Sequence, residues 1–271
     1  MIAAKGITAY AGGKMLAAKE EGIGFVTFNQ PEKRNAMSME MWLGLGEILD
    51  EFEADSSVSV VVMSGAGDKA FVSGADISQF EKSRSNANGQ KEYERQTSVG
   101  RAKFHDFSKP IIAKIRGYCM GGGLAIAMST DLRIAATDGQ FGIPAARLSI
   151  AYGADSVQKL IDLVGPAHAR MILYTARRID AKEAERIGLI NQCVAIEDLD
   201  STVMEIARNI ADNAPLSVRA SKITINELMK DESKRNMAAI KEIGDICFNS
   251  ADYKEGRTAF MEKRRPKFVG K

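Results

Sequence analysis

Apolar residues follow two different patterns along this chain. In the first part, short runs rich in β-branched residues predict buried strands at 22–30 (GIGFVTFNQ), 58–65 (VSVVVMSG) and 109–117 (KPIIAKIRG). From about residue 155 onward, apolar residues recur at helical spacing and strand signals become few. The pattern predicts an α/β core over residues 1–200, followed by a helical C-terminal region over residues 201–271.

Loops and helices are predicted between these strands. Ser38 precedes a segment with apolar residues at helical spacing, so we expect it to be a helix N-cap. Residues 81–100 form the most polar stretch of the chain and are predicted to be a surface loop leading into a helix. Residues 131–136 (DLRIAA) are predicted to form a further strand, and residues 139–150 (GQFGIPAARLSI) a loop with a short strand.

The charge balance argues against a nucleic-acid partner. The 271 residues include 37 basic and 35 acidic side chains, for a formal net charge of +2. A nucleic-acid footprint needs a strongly basic face, whereas this balance leaves room for a local cluster that binds a small anion. Apolar runs are too short to cross a bilayer and no secretory signal is recognisable, so we expect no membrane partner.

Cysteine usage is typical of a reducing compartment. Cys119, Cys193 and Cys247 are far apart, odd in number and without metal-ligand spacing. We therefore expect neither a disulfide framework nor a metal site, and we expect a cytoplasmic protein with reduced, mostly buried thiols.

In two glycine-containing loops, the candidate binding groups are backbone N–H groups and not side chains. The segments 71–76 (FVSGAD) and 120–125 (MGGGLA) each follow a buried strand and lead toward a predicted helix. A helix start presents unpaired N–H groups, and two such groups converging on one carbonyl oxygen would form an oxyanion hole. Strand–glycine–helix turns also occur for packing alone, so the loops by themselves leave both interpretations open. The segment lacks the G-x-G-x-x-G spacing of a dinucleotide site.

Five segments resemble the crotonase superfamily, the enoyl-CoA hydratase/isomerase group. In family order they are NQPEKRNAMS, DKAFVSGADI, KPIIAKIRGYCMGGGLAIAMSTDLRIAA, GQFGIPAARL and ARRIDAKEAERIGLINQCV. The resemblance implies an α/β fold, a ClpP-like spiral of ββα units with a helical C-terminal trimerisation region. It also implies a homotrimer or a dimer of trimers that acts on acyl-CoA thioesters in fatty acid metabolism. It implies no separate cofactor, because coenzyme A is part of the substrate.

The resemblance also implies roles for individual residues. The backbone N–H groups of Ser73 and Gly122 would hold the thioester carbonyl oxygen. Contacts with coenzyme A are implied for Lys33 and Arg34, for Ala75, Asp76 and Ile77, and, toward a neighbouring subunit's substrate, for Phe260 and Lys263. Without the resemblance, the C-terminal EKRR segment would be interpreted as a solvated helix end.

The chain departs from the family pattern at the positions that move protons. Hydratases of the family carry glutamates two residues after the last glycine of GGG and directly after the proline of FGxPE. Here these positions are Ala125 and Ala145. Ala125 lies three residues beyond Gly122, so the two share one face of a helix. Since one acid–base group contributes about 10²–10⁴ in rate, hydration is doubtful.

Other residues are candidates for the missing proton carriers. Asp155 is the first candidate and Tyr152 the second, while a structural alternative makes Asp155 a helix N-cap and Tyr152 a wall residue. Glu81 lies in the polar, lid-like segment, and His105 lies on a predicted helix, where a packed or solvated role is the alternative.

The leading hypothesis is an acyl-CoA enzyme that stabilises a thioester enolate and carries out isomerase- or decarboxylase-type chemistry. The alternative is a non-catalytic homologue that binds acyl-CoA or serves as a trimeric scaffold, which the two alanines favour. RNA binding is disfavoured, because no basic stripe is interleaved with aromatic residues.

Overall fold

The computed structural model describes residues 6–76, 95, 97–98, 100–104 and 106–271. Ile77, Glu81 and His105 lie outside the described residues, as does most of the polar segment predicted over residues 81–100. The described residues from 95 to 104 are helical, which agrees with the helix predicted at the end of that segment.

A large mixed sheet forms one layer of the protein. Its strands, in spatial order, are β1 (Thr8–Tyr10), β2 (Met15–Glu20), β3 (Ile23–Phe28), β4 (Val60–Gly65), β6 (Ile111–Ile115), β8 (Leu132–Ala136) and β11 (Gln192–Val194). The pairs β1–β2 and β2–β3 are antiparallel, and from β3 to β11 neighbouring strands are parallel. The strands predicted at 22–30, 58–65, 109–117 and 131–136 are confirmed as β3, β4, β6 and β8.

A smaller sheet contains the strands that lead to the glycine-containing loops. Its order is β10 (Ile179–Asp180), β9 (Gln140–Gly142), β7 (Tyr118–Met120) and β5 (Ala70–Val72), and all pairs are parallel except β10–β9. The chain places β4, β6 and β8 in the large sheet and the strand after each of them in the small sheet. This repeated alternation is the predicted succession of ββα units.

Helices cover these sheets and make up the C-terminal part. Those with described bounds are α1 (Met39–Ala54), α2 (Gly122–Met128), α3 (Ala154–Thr175), α4 (Ala181–Arg186), α5 (Leu199–Ala211), α6 (Pro215–Leu228), α7 (Met237–Asn249) and α8 (Ala251–Met261). A 3₁₀ turn, Pro144–Leu148, follows β9. Ser38 is confirmed as the N-cap of α1, since its side chain accepts a hydrogen bond from the Met41 N–H. The N-cap interpretation of Asp155 is wrong, because α3 is preceded by Gly153 and Asp155 lies in the first turn.

Two apolar clusters pack on the large sheet. One brings together strands, α1 and α3, and includes fully buried Phe28, Phe71 and Phe141. The other packs Leu199 and Val203 of α5 against the sheet. No strand is found beyond β11 among residues 195–271, which are all described. The proposed boundary at residue 200 stays a prediction.

Asn35 joins the loop after β3 to the turn between β4 and β5. Its fully buried side chain accepts a hydrogen bond from the Gln30 N–H at 2.9 Å. The same side chain donates to the carbonyl oxygens of Ala66 at 3.0 Å and Ala70 at 2.8 Å. Its φ of 56° is in the left-handed region, which asparagine tolerates better than most residues. These bonds fix residues 30–37 beside the start of the small sheet.

We expect Asn35→Ala to lower the free energy of unfolding by about 2–4 kcal/mol, because it leaves buried backbone groups unpaired and a strained φ uncompensated. Urea unfolding followed by circular dichroism measures the change. Asn213→Ala is the matched control, since Asn213 is exposed in the turn after α5. Equal unfolding free energies for the two variants would contradict the role of Asn35.

Candidate active site

The three glycines of the turn between β7 and α2 differ in whether the backbone requires glycine at their position. Gly121 has φ 50° and ψ −114°, which residues with a Cβ rarely adopt. A Cβ on Gly123 would lie 2.0 Å from the Val72 carbonyl oxygen, so only glycine lets α2 approach β5 this closely. Gly122 is free of both constraints, because a Cβ there would have no neighbour closer than 3.7 Å. A Cβ on Gly122 would therefore fit at ordinary contact distance from the loop after β5, so neither a clash nor the backbone conformation requires glycine there.

The backbone amide beside Gly122 belongs to Ala75. A Cβ built on Gly122 would lie 3.7 Å from the Ala75 nitrogen. Within the described part of the chain, neither the Gly122 N–H nor the Ala75 N–H donates a hydrogen bond. In contrast, the Ser73 N–H donates to the Arg34 carbonyl oxygen at 3.1 Å and is engaged by the protein itself. The structure thus brings together Gly122 and Ala75 as free donors, and not Gly122 and Ser73.

Pairing between two loops holds Ala75 in this place. The Met37 N–H donates to the Gly74 carbonyl at 2.8 Å, and the Asp76 N–H donates to the Met37 carbonyl at 2.9 Å. Gly74 has φ 123°, a value that favours glycine. The loop anchored by Asn35 therefore also fixes the backbone on which the Ala75 amide lies.

Tyr152 lies against the glycine-rich turn. Its hydroxyl group donates a hydrogen bond to the Gly121 carbonyl oxygen at 3.1 Å. Burial raises the pKa of Tyr152, and the neighbouring Cys119 adds to that shift. The phenol therefore stays protonated at neutral pH, which suits a proton donor and not a base.

Ala125 and Ala145 lie on two sides of the turn. Ala125 is half-buried on α2, one turn after Gly122. Ala145 is half-buried in the 3₁₀ turn, beside Pro144, whose ring lies 3.9 Å from the position of a Cβ on Gly121. Neither position offers a carboxylate. Asp155 is exposed in the first turn of α3. The Tyr152 phenol, in contrast, is held by its hydrogen bond to the Gly121 carbonyl oxygen.

The residues predicted to hold coenzyme A lie mostly around the paired loops. The Lys33 Nζ forms an ion pair with the Asp76 carboxylate at 2.9 Å, and this hydrogen bond raises the pKa of Lys33. The Arg34 guanidinium lies over the Tyr118 ring, 5.1 Å from its centre, and Arg178 lies 5.2 Å from the same centre. The stack holds the Arg34 guanidinium close to the loop on which Ala75 lies.

The C-terminal candidates are in a different part of the chain. Phe260 is 82% exposed near the end of α8, and Lys263 is exposed just beyond that helix. Their role at a neighbouring subunit's substrate stays a prediction.

The sequence interpretation missed two polar residues linked to Ala125, Ser129 and Lys159, and the position of Arg101 against Trp42. The Ser129 hydroxyl donates to the Ala125 carbonyl at 2.9 Å, and the Lys159 Nζ donates to the Ser129 hydroxyl oxygen at 2.8 Å. The Arg101 guanidinium lies 5.4 Å from the centre of the Trp42 ring. One signal was available for Ser129, since it follows Ala125 by four residues and shares its helix face.

Within the described residues, no helix combines the length and the apolar character that a membrane crossing requires.

Comparisons with known proteins show the family of this chain. The enoyl-CoA hydratase/isomerase family model matches residues 18–271. The short-chain-enoyl-CoA hydratase of Clostridium acetobutylicum is 39% identical over 93% of this chain and 95% of its own length. The crotonyl-CoA hydratase of Syntrophomonas wolfei is 37% identical over 95% of this chain and 98% of its own length.

Solved structures give the same result for the fold. The crystal structure of an enoyl-CoA hydratase/carnitine racemase from Magnetospirillum magneticum has a TM-score of 0.88 and 35% identity. The match covers 95% of this chain and 96% of the other. The mixed α/β fold is that of crotonase-type structures, and the chain belongs to the enoyl-CoA hydratase/isomerase family.

Proposed function

We propose that this acyl-CoA enzyme binds the thioester carbonyl oxygen between the N–H groups of Gly122 and Ala75 and stabilises a thioester enolate there. Two neighbouring amides that donate no hydrogen bond within the described residues, one of them at the start of α2, support this assignment. The helix dipole adds positive potential where negative charge develops on the oxygen. Ala75 replaces Ser73 in this proposal, because the Ser73 amide is already bonded to Arg34.

The reaction proposed is one that needs enolate stabilisation without a water-activating carboxylate. The observation that carries this step is alanine at both 125 and 145. In a decarboxylation, the bond from the α-carbon to the carboxyl carbon breaks and CO₂ leaves. The electron pair passes into the enolate, and the α-carbon then takes up a proton, for which Tyr152 is the candidate donor. Double-bond migration also requires proton removal, and exposed Asp155 is the candidate base.

Hydration is the second candidate function. It is favoured by the relatives, which are named as hydratases of short-chain enoyl-CoA and of crotonyl-CoA. Water addition across a conjugated double bond needs a group that takes a proton from water, and a methyl group does not supply one. A non-catalytic acyl-CoA-binding protein is the remaining alternative.

We expect wild-type protein to hydrate crotonyl-CoA at least about 10²-fold more slowly than the double variant Ala125→Glu/Ala145→Glu, because the variant supplies two carboxylates. Loss of absorbance of the conjugated thioester measures hydration. Methylmalonyl-CoA and 3-hexenoyl-CoA, followed by mass spectrometry, test decarboxylation and double-bond migration.

Hydration by the wild type as fast as by the double variant would contradict our interpretation of the alanines. Binding of all three esters without conversion would instead favour the non-catalytic alternative.

We expect Tyr152→Phe to lower kcat of the converted ester by about 10²-fold or more with little change in KM, because the ring stays and only the donor is lost. Tyr174→Phe is the matched control, since Tyr174 is 75% exposed on α3. An unchanged kcat for Tyr152→Phe would assign Tyr152 to the wall of the site alone.

A further inference from the structure

One face of α2 continues from the proposed oxyanion hole to a cationic group. Gly122, Ala125 and Ser129 are spaced by three and four residues, so they lie along one face of the helix. The backbone of Ser129 has φ −89° and ψ −8°, which continues the helical path of α2. The acyl chain of a thioester bound at Gly122 has this face as one wall.

The Lys159 ammonium lies at the far end of this face with unused donor capacity. An ammonium has three N–H donors, and the hydrogen bond to Ser129 uses one of them. Among the described residues, no carboxylate forms an ion pair with Lys159. Lys159 is an exposed residue, and the partial burial that it has lowers its pKa, which Asp155 opposes and Arg101 reinforces. A substrate anion would relieve this unpaired charge.

We propose that the acyl group of the substrate carries a second, distal carboxylate, bound by the Lys159 ammonium. The inference rests on the proposed function, since it takes the thioester carbonyl to lie at Gly122. The substrate class is then the mono-CoA thioester of a dicarboxylic acid. The distal carboxylate is a binding group and is retained through the reaction.

Glutaryl-CoA and valeryl-CoA are the matched probes, because they have the same chain length and differ in a terminal carboxylate against a methyl group. Isothermal titration calorimetry with the full chain is expected to give a Kd about 10- to 100-fold lower for glutaryl-CoA. Lys159→Met should abolish that preference and leave the Kd of valeryl-CoA unchanged, whereas Lys159→Arg should retain most of it.

The control variant is Lys182→Met, which removes an exposed lysine on α4 and should leave both Kd values unchanged. Equal affinity of the wild type for the two esters, or a preference that survives Lys159→Met, would overturn the proposal while the proposed function stands. Failure to bind either ester would overturn the proposed function itself. Valeryl-CoA binding also reports whether each variant is folded.

Discussion

The close approach of α2 to β5 is the constraint on which the rest of the site depends. At Gly123 the helix backbone lies so near the Val72 carbonyl that no side chain fits between them. This contact brings the start of α2 beside the loop that follows β5, and it is the reason the Gly122 and Ala75 amides are neighbours. Removing it would separate two donors that come from strands far apart in sequence.

In a site built on backbone amides, the groups that bind the substrate are different from the side chains that transfer protons. The two N–H groups are fixed by strand order, by the Asn35 hydrogen bonds and by pairing of Met37 with the loop at Gly74. None of these interactions depends on the side chains at 125 and 145. A chain can therefore carry alanine at both positions without losing the two amides at which we propose that the thioester oxygen binds. The fold and the oxyanion geometry consequently say more about substrate class than about the reaction that follows.

The sequence predicts the long buried strands well, because β3, β4 and β6 are nearly continuous apolar runs. It predicts β5, β7 and β10 poorly, since strands of two or three residues owe their existence to partners in the small sheet and not to local pattern. The resemblance pointed to the Ser73 N–H, whereas the structure shows this N–H donating to the Arg34 carbonyl oxygen and, among the described residues, leaves the Ala75 N–H free. The bond from Ser73 to Arg34 joins residues 39 positions apart, and no local pattern encodes it.

Loss of the two carboxylates and the unpaired state of Lys159 are parts of one electrostatic arrangement. Ala125 lies one helical turn before Ser129, which holds the Lys159 ammonium. A glutamate at position 125 would project from the same helix face toward that ammonium, and opposite charges so placed attract each other. With alanine there, the ammonium keeps two donors and its charge for a ligand. Alanine at position 125 is therefore consistent with the proposal that a carboxylate of the substrate binds the Lys159 ammonium.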